Sequence, residues 1–153
     1  MSFLGNVLWF LMGGVLTGLL WWLFGALAFV SILGIPWGRA CFVMGGLAFR
    51  PFGREAIRRD LLTGRQDVGT SWPGVLGNVI WFLLAGLWIA GGDLAAALAC
   101  AVTIVGIPFA WQHMKLAALA LCPIGQTVVP AEVAALARRR QAETVLDTMR
   151  SRA

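Results

Sequence analysis

The chain is 153 residues long, with 59% of them hydrophobic, 12% charged and a net charge of +5. A soluble domain carries about 45–50% apolar and about 25% charged residues, so this composition excludes an ordinary soluble fold. Nucleic acid is not implied by the basic excess, because the arginines flank long apolar runs, where membrane topology accounts for them.

Phe3 to Gly38 contains no charged residue and no histidine, a run well beyond the roughly 20 residues that cross a bilayer. Met1-Ser2 offers no basic region and the run is too long for a cleavable leader, so the first helix is expected to stay as an anchor. Ile32-Leu33-Gly34-Ile35-Pro36-Trp37 returns as Ile104-Val105-Gly106-Ile107-Pro108-Phe109. In fact residues 5–53 align with 77–125 without a gap and with sixteen identical pairs, which is an internal duplication.

Copy two carries Gly91-Gly92-Asp93, a turn signal followed by a cap candidate, so each copy is expected to be a helical hairpin. Its first helix is placed at about residues 4–19 or 75–90 and its second at 22–49 or 94–121. The second helix is expected to break at Gly34 and Pro36, or at Gly106 and Pro108, because a proline inside a helix removes a hydrogen bond. Residues 1–53 and 75–125 are thus two transmembrane hairpins, and 54–74 form a polar linker with several arginines. Residues 126–153 form a tail whose helix shows a weak apolar face at Val133, Leu136, Val145, Leu146 and Met149. Linker and tail hold the arginines and the hairpin turns hold none, so linker, tail and N-terminus are expected in the cytoplasm. The expected fold is all-α and membrane-spanning: two parallel hairpin repeats, four spans and a cytoplasmic C-terminal helix.

Small residues line one face of the second helices: Gly38, Cys41 and Gly45 in copy one, Ala110 and Ala117 in copy two. Such a seam lets helices approach closely, within the chain or between subunits. His113 takes the place of Cys41 on it and reads as a packing histidine or a ligand. Arg39 lies about 16 Å along the helix from Arg50, too deep for easy snorkelling. Lys115 falls on the same face of the repeat, so either Lys115 snorkels and Arg39 bonds the carbonyls freed by Pro36, or the two form a basic lining for an anion or lipid phosphate. Gln112, Asn6 and Asn78 complete the candidate pore or ligand residues, the two asparagines reading otherwise as caps or cross-bonds between helices. Cys41, Cys100 and Cys122 have no metal-like spacing and read as small core residues. No metal, cofactor or catalytic set is indicated, and with one histidine and no paired acid–base residues an enzyme is not expected.

The doubled Gly-Asn-Val-[Leu/Ile]-Trp-Phe-Leu and Ile-x-Gly-Ile-Pro pattern resembles the YccF family of small bacterial inner-membrane proteins. Pro51-Phe52-Gly53-Arg54-Glu55-Ala56-Ile57, Lys115 with Pro123-Ile124-Gly125, and Arg39 with Cys41 also look family-like, whereas Gln112 and His113 depart from the pattern. The resemblance implies an inner-membrane location and a tandem-repeat architecture, and it supplies no catalytic residues. Two function classes follow. One is a homo-oligomeric channel or transporter for a small ion or solute, with anions among the candidates. The other is a structural or accessory subunit that binds partner helices and anionic lipid.

Overall fold

The computed structural model describes residues 2–30 and 34–152; Ile32 and Leu33 of the repeated stretch lie outside them. Helix α1 (Ser2–Trp9), a π-helical turn (Phe10–Gly14) and α2 (Val15–Phe29) run on as one long helix. It bends at Gly13, whose φ of +134° is open to glycine and strained for other residues. Copy two repeats the arrangement as α5 (Trp72–Trp81), a π turn (Phe82–Gly86) and α6 (Leu87–Ala101), with Ala85 in place of Gly13 and no positive φ. By length and apolar composition, Phe3–Phe29 and Trp72–Ala101 can each cross a membrane.

The hairpins turn at Gly-Ile-Pro, about a dozen residues later than the sequence reading placed them. Helix α3 (Ile35–Phe49) starts after Gly34, and α7 (Ile107–Leu121) after Gly106, with Pro36 and Pro108 in the first turn of each. There the missing N–H would have had no partner in any case, so proline starts these helices and does not break them. Gly91-Gly92 lie inside α6, and Asp93 is no cap.

The opening motif of each copy clamps the end of that copy's descending arm. Asn6 donates from Nδ2 to the Phe52 carbonyl at 3.1 Å and accepts from the Phe52 N–H at 3.0 Å. Asn78 makes the same two bonds to Ile124, at 3.1 and 3.0 Å. One turn on, the Trp9 and Trp81 indoles donate to the carbonyls of Ala48 and Ala120, at 2.6 and 2.9 Å. Those carbonyls sit in the last turns of α3 and α7, where no intrahelical donor remains. Trp81→Phe should therefore cost about 1–3 kcal/mol, the penalty of leaving a buried acceptor unpaired. Unfolding in detergent measures it, and Trp88→Phe, at a 76% exposed site, should change little.

The seam of small residues packs within each hairpin. Cys41 and Ala48 are fully buried, as is Ala120 in copy two, and Ala117 is nearly so. A Cβ added at Gly45 would lie 2.3 Å from the Trp22 ring, one at Gly38 2.9 Å from Phe29. Gly38 and Gly45 thus make room for aromatic side chains of α2, and Ala110, at the position of Gly38 in copy two, is likewise buried. Of the cysteines only Cys41 is a core residue; Cys100 is half-buried, Cys122 is exposed, and all three are unpaired.

Two strands correct the all-α expectation. β1 (Arg54–Arg58) pairs antiparallel with β2 (Gln126–Pro130), Ala56 opposite Val128 and Arg54 opposite Pro130. Each strand occupies the same place in its copy, so the register sets a pseudo-twofold axis between Ala56 and Val128. The residue-54–74 segment is accordingly structured: after β1 come α4 (Arg59–Thr63) and a loop fastened by Arg59 to Asp67. Helix α8 (Ala131–Arg150) lies on the sheet through Ala134 and Ala137, which pack against Ile57. Val133 and Leu136, expected to form its apolar face, stay largely exposed. Alanine wins that contact because a small side chain lets the helix lie closer to the strands.

Candidate functional site

The core between the copies is aromatic. Trp9 stacks on Phe109 at 6.3 Å and Trp21 on Trp81 at 6.3 Å, while the Trp37 indole donates to the Gly77 carbonyl at 2.9 Å. Into this apolar layer α6 brings Asp93 and α7 brings His113. Asp93 Oδ1 lies 2.9 Å from His113 Nδ1, and the two residues are 4% and 6% exposed. With Asp93 ionised, the carboxylate can only accept, so Nδ1 carries the proton. The Trp9 ring packs on the imidazole, centroids 4.6 Å apart. His113 lies about 9 Å along α7 from its start and about 12 Å from its end, near mid-height.

The duplication shows how unusual this pair is. Asp93 stands where copy one has Trp21, and His113 where it has Cys41. Trp21 is 1% exposed. Its Nε1 and Asp93 Oδ2 are both buried without a hydrogen-bond partner. An orphaned buried donor or acceptor costs about 1–3 kcal/mol. Both residues, with Thr17 and His113, line one cavity of about 320 Å³ whose other walls are largely apolar, among them Phe24 and Trp88. The cavity is thus an apolar space walled in part by Trp21, Asp93 and His113, with the unpartnered atoms of the first two buried in its wall.

The other sequence candidates fall elsewhere. Arg39 is exposed in the second turn of α3, about 6 Å from the helix start, because the turn lies at Gly34 and not near residue 20. It is therefore near the hairpin tip, not deep in a bundle, and its counterpart Trp111 is also exposed. Asn6 and Asn78 are committed to the backbone clamps. Gln112 and Lys115 line a separate cleft near the sheet. Sequence reasoning missed Asp93, read as a cap, and Trp21. The repeat alignment held the signal: a carboxylate and an imidazole replace uncharged residues in copy two alone, at positions that meet across the hairpin. Among the described residues no group of acidic, histidine and cysteine side chains is arranged to hold a metal.

Length, composition and the duplicated apolar hairpin define a small membrane protein built from tandem repeats. The chain belongs to the YccF family: the inner membrane component domain matches residues 4–54 and again 76–126. It is 35% identical over 138 residues to the inner membrane protein YccF of Escherichia coli K12, which covers 90% of this chain and 93% of that one. The Shigella flexneri protein of the same name matches to the same extent. No solved structure matches the chain.

Proposed function

We propose that this inner-membrane protein is a transporter for a small solute, and that the solute binds in the cavity between the repeats. The observation that carries this reading is that Trp21 and Asp93, each holding a buried polar atom without a partner, wall one cavity together with His113; a small side-chain rotation on loading turns Trp21 Nε1 and Asp93 Oδ2 toward the solute. A small hydroxyl, amine or amide compound can accept from the indole and donate to the carboxylate, with its apolar part against Phe24 and Trp88. Asp93 and His113 pass a proton as the solute loads. A site near mid-height at a repeat interface suits alternating access. Four crossings support the same reading. Each second helix supplies about 22 Å, and the extended residues down to the asparagine clamp add about 10 Å, against a hydrocarbon core of about 30 Å. The arginine-rich sheet end then lies in the cytoplasm with both termini. The site is complete in one chain, so the reading gives a homo-oligomer no part in binding.

The test is proton movement into liposomes holding a trapped pH indicator, under gradients of a small amine, a small alcohol and a small carboxylic acid. At least one gradient should drive a proton flux above that of protein-free liposomes, and Asp93→Asn should abolish it while circular dichroism stays unchanged. Flux equal to the protein-free control under every gradient, or unchanged in Asp93→Asn, overturns the reading.

One observation favours an accessory subunit as the second reading: every described residue of the tail from Arg138 to Arg152 is exposed. A membrane protein that copurifies with the full chain, and is lost when residues 141–153 are removed, would support it.

A further inference from the structure

Where α7, β1 and α8 meet there is a cleft of about 220 Å³, lined by Arg54, Glu55, Gln112, Lys115 and Arg138 among apolar residues. Glu55 pairs with Arg138 at 2.9 Å. The side chains of Arg54 and Lys115 have no ion-pair or hydrogen-bond partner among the described residues. The cleft thus holds three cations against one carboxylate. Gln112 is 8% exposed, and its side-chain amide likewise has no hydrogen-bond partner. Unlike Trp21 Nε1 and Asp93 Oδ2, this amide is not sealed off, and from the wall of the cleft it can meet a ligand there. Its surroundings decide which: two unpaired cations beside an amide donor match the oxygens of an anion, and a guanidinium and an ammonium are the usual phosphate binders.

The duplication adds an independent argument. The pseudo-twofold axis relates Arg54, Glu55, Gln112 and Lys115 to Gln126, Thr127, Ala40 and Val43. A role in packing the strands against the helices would call for the same residues on both sides. At these four positions only one side is charged, and that is the side that α8 covers with Arg138. We propose that this cleft binds a phosphate group, held by Arg54, Lys115 and the Gln112 amide, with Arg138 shared between the ligand and Glu55. The site is separate from the Asp93–His113 cavity and does not depend on the transport reading.

The experiment uses the full chain in a neutral detergent and follows thermal unfolding with three additions: inorganic phosphate, a short-chain phosphatidylglycerol and a short-chain phosphatidylcholine. Phosphate or phosphatidylglycerol should raise the unfolding temperature saturably, and rising salt should weaken the effect. A response to inorganic phosphate marks a soluble phosphate ligand, and a response to phosphatidylglycerol alone marks a lipid headgroup. The double variant Arg54→Gln, Lys115→Gln should weaken binding at least about tenfold. Arg150→Gln, on the exposed tail, should leave it unchanged. Gln112→Leu separates ligand binding from stability: it should weaken binding and leave the ligand-free protein as stable as before or more so. No shift with either anionic probe, an equal shift with phosphatidylcholine, or an undiminished shift in the double variant overturns the proposal.

Discussion

Replacing His113 by alanine should destabilise the protein by about 3–5 kcal/mol, the cost of leaving a buried charge without its partner. Asp93 keeps a single side-chain bond, from Oδ1 to His113 Nδ1, while Oδ2 has none. The substitution would therefore strand the whole carboxylate among tryptophans, and it would also remove the ring on which Trp9 packs. Asp93→Asn should cost much less, because an amide can still bond the imidazole. The double variant Asp93→Ala, His113→Ala should be more stable than the sum of its singles, since it leaves no polar group behind. Denaturant titration of the purified protein in detergent reads all three values. Additive effects would mean that the two side chains do not interact.

The second large effect is expected at Gly106. The turn that leads into α7 closes through the Gly106 N–H, which donates to the Thr103 carbonyl and hydroxyl, both at 3.0 Å. A Cβ placed on Gly106 would lie 1.9 Å from the Cys100 carbonyl oxygen, which is backbone and cannot swing aside. Gly106→Val must displace the end of α6 from the start of α7, costing about 3 kcal/mol, at the upper end of overpacking losses. Gly91→Val, in the interior of α6 where an added Cβ meets nothing, should cost well under half as much. The order of these two variants separates a turn at Gly106 from a turn at Gly91-Gly92, which would make Gly91 the sensitive position.

The duplication, the hairpin in each copy and the seam of small residues were legible because each rests on local spacing. Gly38 and Gly45 sit where the period of a packed helix puts them, and they do pack. The position of the turn was not legible. Gly91-Gly92-Asp93 carries every local mark of a turn, but His113, twenty residues further on, supplies the bond that lets Asp93 remain inside a helix. The true tip in copy two, with Val102, Ile104 and Val105 exposed, has almost no polar residue to announce it. Pro36 looked disruptive only while it was assumed to lie inside a helix; at a helix start it is at ease. That single shift moved Arg39 from mid-helix to the hairpin tip and Asp93 from a loop to the core. The strands were hidden for another reason. Five residues beginning and ending in arginine read as a linker, and only pairing with the same segment of the other copy makes β1 a strand.

Labelling of single cysteines tests most directly the claim that each copy turns at Gly-Ile-Pro with Asp93 enclosed between the repeats. In a background with Cys41, Cys100 and Cys122 replaced by alanine, Ile104→Cys and Gly92→Cys are each exposed to a membrane-impermeant maleimide in right-side-out vesicles. The structure predicts rapid labelling at position 104, the 88% exposed hairpin tip, and none at position 92, which lies about 14 Å of helix below the end of α6 and so within the hydrocarbon layer, out of reach of the impermeant reagent. Labelling at position 92 with protection at position 104 would contradict it.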